Sequence, residues 1–118
     1  QVQPDAPTIQ GCLIAAAQKA MGDPIRVVGA SRTDAGVHAL GQVASLVTTS
    51  TLSAASVHAA LNALLPADVR VLRVDDMTAP LDARRAAAGK RYGYLIDNGP
   101  VAMPLTLRYA WHVRTPLD

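Results

Sequence analysis

Arg32 and Asp34 stand two residues apart in a stretch bounded by Gly29, Gly36 and Gly41, and no other acidic residue lies between Asp23 and Asp68. A carboxylate set apart from other acids is a candidate nucleophile. A guanidinium beside it offers a counter-charge and a planar donor that suits phosphates and bases. His38 follows Asp34 by four residues. Two candidate ligands in a loop without a third do not make a metal site, so no metal is expected and His38 is read as fixing the loop by hydrogen bonding. A plainer alternative stands beside the chemical one. Asp34-Ala35-Gly36 could be only a turn, with the Asp side chain bonding its own backbone. Residue types alone leave both open.

The elements around this stretch must hold it. Residues 25–28 and 43–47 are short apolar runs rich in β-branched side chains and read as strands. Thr8 is a helix cap for residues up to about Met21, with Ile9, Leu13, Ala16, Ala17 and Ala20 on one stripe and Gly22-Asp23-Pro24 as the stop. Ser53 caps a second helix to about Leu65, with Val57, Leu61, Leu64 and Leu65 facing inward. Residues 69–74 read as a third strand and 75–80 as a loop. From about 87 to 97 the alternation puts Lys90, Tyr92, Tyr94 and Ile96 on one face of a further strand. After a turn at Asn98-Gly99-Pro100, residues 109–113 make a last strand with Tyr109, Trp111 and Val113 inward. The expected class is α+β: an antiparallel or mixed sheet of about four strands with two helices packed on one face.

Composition bounds the rest. The chain has 118 residues, enough for one domain with a real core. Half the residues are hydrophobic and 17% are charged, which argues for a folded globule. Phe is absent and aromatics make only 3%, so Ala, Val and Leu must build the core and modest stability is expected. Net charge is +2 with pI near 9.0, a weak basic bias carried mainly by Arg. The single cysteine excludes an intramolecular disulfide, and Cys12 reads as a small core residue. No stretch is long and apolar enough to suggest a membrane-spanning helix.

Arg32-Thr33-Asp34-Ala35-Gly36-Val37-His38-Ala39, followed by Gly41-Gln42-Val43, resembles the signature of the tRNA pseudouridine synthase A family. Other segments agree in order and spacing: residues 3–11 with the lead into the family's first helix, and Leu61-Asn62-Ala63-Leu64-Leu65-Pro66 with the end of its second. Asp82-Ala83-Arg84, then Lys90-Arg91-Tyr92-Gly93-Tyr94-Leu95-Ile96, resembles its second motif. Departures are mild. The family usually has Gly at Ser31, an aromatic at Leu81, His at Asp82 and Arg or a similar residue at Gly93. By this resemblance residues 1–118 correspond to a single N-terminal-type synthase domain without its opening strand and without a C-terminal domain.

The resemblance implies a reaction, a site and partners. Uridine becomes pseudouridine when the bond from ribose C1′ to uracil N1 breaks and is remade to C5, with no external cofactor. Asp34 would be the nucleophile, attacking either C6 of the base or C1′ of the sugar. Arg32 would sit beside it and fill the stack left by a flipped base. Tyr92 would lie on the uracil ring, while Arg84, Lys90, Arg91 and His38 are candidate RNA contacts. The implied partner is tRNA, at uridines of the anticodon stem-loop, with a homodimer expected and no membrane. The implied compartment is cytoplasmic, or an organelle matrix or stroma in a eukaryote. A second reading is a non-catalytic, synthase-derived RNA-binding or structural subunit of a ribonucleoprotein assembly.

Overall fold

The structure, a computed structural model, describes residues 1–118. The chain divides into two units, Gln1–Ala87 and Ala88–Asp118. In chain order the first unit holds α1 (Ile9–Met21), β1 (Val27–Gly29), β2 (Ala44–Leu46), α2 (Ala54–Leu64) and α3 (Ala83–Ala86). The second holds β3 (Ile96–Asp97) and β4 (Trp111–His112). The class is α+β, with three helices and two separate two-stranded sheets in place of one sheet of four.

Both long helices begin where their caps dictate. The Thr8 Oγ1 accepts a hydrogen bond from the Gly11 amide, and Ser53 does the same for Ser56. Gly22 ends α1 in the left-handed conformation at φ +80°, its N–H donating to the Gln18 carbonyl. The core forms where α1 and α2 meet: Ala16, Ala17 and Met21 against Val57, Leu61 and Leu65, with Ile25 and Val27 beneath. Small residues on α1 let the helices approach closely, at the cost of apolar area per side chain. Cys12 is half-buried against this core. Two inward assignments change. Ile9 is exposed in the first turn of α1, and Leu64 is 37% exposed where Leu61 is 3%. Positions 57, 61 and 65 keep one face of α2 at a spacing of four, and Leu64 falls to the side of it.

Residues 69–74 lie against the core through Val69, Val71 and Val74, but form no ladder. Their pairing is supplied by a side chain. Asn62 Nδ2 donates to the Val71 carbonyl at 2.8 Å, and the Val71 N–H donates to Asn62 Oδ1 at 2.9 Å. The amide thus takes both bonds that a neighbouring strand would take. Asn62→Ala is expected to cost about 1–3 kcal/mol by stranding the Val71 N–H, read as a lower urea midpoint with unchanged slope.

Asp23, just past α1, ties the helix end to the link after β2. One carboxylate oxygen accepts from Thr48 Oγ1 (2.7 Å), the Thr49 N–H (2.7 Å) and Thr49 Oγ1 (3.1 Å). The Thr48 hydroxyl, then the Thr49 amide, hold its pKa below the ordinary 3.8. A carboxylate depressed in the folded state stabilises above its unfolded pKa and loses that contribution as pH falls through the folded value. Thermal midpoints are therefore expected to fall as the medium is acidified below about pH 4, with a shallower fall for Asp23→Asn.

The second unit is held chiefly by polar clamps. The pairing of β3 with β4 is parallel, Ile96 opposite Trp111 and Asp97 opposite His112. Asp97 accepts from the amides of Met103 (2.9 Å) and Gly99 (3.1 Å), which together hold its carboxyl below the usual range, the Met103 bond most. Asn98 Nδ2 donates to the carbonyls of Val113 and Thr115, and its Oδ1 accepts from Leu117. The expected inward stripe does not form, since Tyr109 and Trp111 are exposed and only Val113 is half-buried. Residues 87–95, expected as a strand, likewise form no ladder, and Tyr94 is 83% exposed.

Candidate active-site loop

β1 and β2 are antiparallel, with Val27 opposite Leu46, Val28 opposite Ser45 and Gly29 opposite Ala44. The pairing runs one step further, the Ala30 N–H donating to the Val43 carbonyl at 2.8 Å. Beyond that step the chain opens into the loop that carries Arg32, Asp34 and His38. Further contacts shape it. Gln42 Nε2 donates to the Ser31 carbonyl at 2.7 Å, and the Val37 N–H donates to the Asp34 carbonyl at 3.2 Å. The second closes a four-residue turn whose third position, Gly36, has φ +84°. Only glycine takes that conformation without a steric cost, which is why the turn needs Gly36.

The turn is closed by backbone groups alone. The Asp34 carboxylate is exposed and makes neither a hydrogen bond nor an ion pair, so it is not spent on bonding its own loop. Arg32 is exposed and forms no salt bridge with it; the counter-charge expected from their spacing is not realised as a contact. Two solvated side chains on a loop gain little from pairing and lose rotamer freedom by it. His38 is also exposed, and no group of three metal-ligating side chains forms around it.

A short helix lies under the same sheet. Asp82 caps α3, its Oδ1 accepting from the amides of Arg84 (2.9 Å) and Arg85 (3.2 Å). Ala83 is buried, and its N–H donates to Ser45 Oγ on β2 at 3.1 Å. This anchor packs α3 on β1 and β2 and leaves the Arg84 and Arg85 side chains exposed. Sequence reasoning left residues 81–86 without an element. The available signal was an Asp directly ahead of Ala-Arg-Arg-Ala. The aspartate that departs from the family pattern is here the helix cap.

Lys90, Arg91 and Tyr92 belong to the second unit and are exposed, Tyr92 to 62%. Arg32, Asp34, His38 and Arg84 thus share the first unit, the first three within one loop, whereas the Lys90–Ile96 part of the second motif belongs to the other unit. An exposed carboxylate held on a loop pinned at its neck can attack a substrate carbon without first breaking a protein contact. The exposed guanidinium of Arg32, two residues before it, can meet phosphates.

Residues 1–81 match the family described as tRNA pseudouridine synthase. The chain is 42% identical over 118 residues to tRNA pseudouridine synthase A of Thermoanaerobacter sp. (strain X514), covering 100% of this chain and 48% of the relative. It is 44% identical over 120 residues to that of Moorella thermoacetica, with coverage of 100% and 49%. It is 45% identical over 118 residues to that of Brevibacillus brevis, with coverage of 100% and 48%. The chain spans about half the length of these curated relatives.

Proposed function

This chain belongs to the tRNA pseudouridine synthase family, and we propose that it is the nucleophile-bearing part of an enzyme that isomerises uridine to pseudouridine in tRNA. The observation that carries this reading is the Asp34 carboxylate, exposed and unpartnered on a loop fixed at its neck, with Arg32 two residues before it.

The reaction needs one bond broken and one made. The C1′–N1 bond opens, uracil turns within its site, and C5 bonds to C1′. The proton on C5 leaves to solvent and N1 gains one, so no electrons are transferred and no cofactor is required. Asp34 serves as nucleophile, at C6 or at C1′, and holds the base or the sugar while the ring turns. Its freedom from internal hydrogen bonds leaves its lone pairs available for attack. The target nucleotide must be out of the stack for a carboxylate to reach it, and the Arg32 guanidinium, planar and exposed, is suited to the space it leaves. Tyr92 supplies the aromatic face for the uracil ring. Arg84, Lys90, Arg91 and His38 contact the RNA backbone, setting position more than sequence. The substrate sites are uridines of the anticodon stem-loop, the working form is a homodimer, and the compartment is the cytoplasm, or a matrix or stroma in a eukaryote.

The test is release of tritium from tRNA carrying [5-³H]uridine. Release proportional to enzyme, with pseudouridine recovered in the digested product, supports the synthase reading, since bonding of C5 to C1′ expels the C5 hydrogen. Tight tRNA binding without release would favour the second reading, a synthase-derived RNA-binding subunit.

A further inference from the structure

The β1–β2 register, carried forward from Gly29 opposite Ala44 and the Ala30–Val43 bond, brings Ser31 opposite Gln42. At that step the ladder changes character. The Ser31 carbonyl is taken by the side-chain amide of Gln42 at 2.7 Å, not by its backbone N–H. A side-chain donor can hold the carbonyl while the two backbones diverge, so the strands open into a loop at a defined place. Ser31 is also tied onward, its Oγ donating to the Arg32 carbonyl at 3.2 Å. Past this point the Asp34–Val37 turn supplies a further backbone bond within the loop. Gln42 is itself exposed and contributes nothing to the buried cluster.

We infer that Gln42 is a positioning residue for the synthase reaction: its Nε2–H···O=C bond to Ser31 fixes the exit of the loop and so the direction in which Arg32 and Asp34 are presented. This rests on the proposed role of Asp34. A loop released at Ser31 still carries both side chains but samples orientations in which the carboxylate misses the reacting carbon. Misplacement of about 1 Å is enough to cost roughly a hundredfold in rate.

Two variants of the full-length enzyme test it. Gln42→Glu keeps shape and length but replaces the donor with an acceptor facing a carbonyl, and Gln42→Met keeps length without polarity or charge. Both are expected to lower kcat for tritium release by about ten- to a hundredfold with KM for tRNA within about twofold. Amide exchange in this chain gives a readout independent of turnover. Both variants should speed exchange of the Val37 N–H while leaving that of Leu65, at the end of α2, unchanged. Unchanged kcat in both variants, or unchanged Val37 exchange, overturns the inference. A rise in KM with Val37 protection intact also overturns it, by making Gln42 a direct RNA contact. Asp34→Asn run in parallel separates the two readings. A dead Asp34 variant beside a normal Gln42 variant removes only the positioning role, whereas an active Asp34 variant removes the nucleophile assignment on which that role rests.

Discussion

Asp34→Asn is expected to abolish tritium release from [5-³H]uridine-labelled tRNA while leaving both the fold and tRNA binding in place. The substitution keeps the size and shape of the side chain and takes away its charge and its nucleophilic oxygen. An amide is a poor nucleophile, so a loss of at least about a thousandfold in turnover is anticipated, roughly 4 kcal/mol of transition-state stabilisation. The structure gives reason to expect no collateral damage. The carboxylate is exposed and has no internal hydrogen bond or ion pair to lose, and the turn that holds it is closed by the Asp34 carbonyl, which the substitution leaves untouched. Exposed changes of this kind usually stay within about 0.5 kcal/mol. Melting curves and a filter-binding titration on the same preparations would separate a chemical loss from a folding one. Turnover that survived in the Asn variant would sink the assignment of Asp34.

Leu61→Ala should have the largest effect on stability. Leu61 is 3% exposed and sits between Val57 and Leu65 on the face of α2 that meets Ala16 and Ala17 of α1. Its partners on α1 are small and cannot move in to fill the space, so transfer and cavity terms add to about 2–5 kcal/mol. Small domains hold only about 5–15 kcal/mol in total, so the variant gives up a large share. A drop of roughly 10 °C or more in melting temperature follows for a domain of this size. Leu64→Ala is the internal control. It removes the same atoms from the same helix at a position 37% exposed, and the change should be about 1 kcal/mol, well short of the loss at Leu61. Urea titration of the two variants side by side tells them apart. Equal destabilisation would mean that the packing of α2 on α1 is wrong.

That pair of leucines also marks the boundary between what residue order decides and what packing decides. Both stood as inward positions in the sequence, because a leucine on either side of an apolar stripe satisfies the same periodicity. The face is decided only when a second helix arrives, and α1 arrives along 57, 61 and 65. The helix starts at Thr8 and Ser53, the stop at Gly22 and the turn need of Gly36 were legible because each is settled by groups within about four residues of one another. The chemical candidates were legible for a related reason. A lone carboxylate beside an arginine in a glycine-bounded stretch is a property of residue order, and the exposed loop keeps it.

Pairings across longer separations were not legible. Residues 69–74 have a strand's composition, yet the bonds at Val71 go to the Asn62 side chain, nine residues back and across the helix. The parallel direction of β3 against β4 depends on the turn built around Asp97 and Met103, which alternation does not encode. The short helix α3 owes its place to the Ala83–Ser45 bond, and the loop's neck to Gln42 reaching Ser31. Sequence by itself therefore determined the caps and the turn, local interactions with few competitors, and it put forward Asp34 as the candidate nucleophile. Tertiary structure alone decided which leucine is buried, which side chain replaces a strand and how the Asp34 loop is held, because each of those outcomes is a choice among several partners that only the folded chain brings within hydrogen-bonding or van der Waals reach.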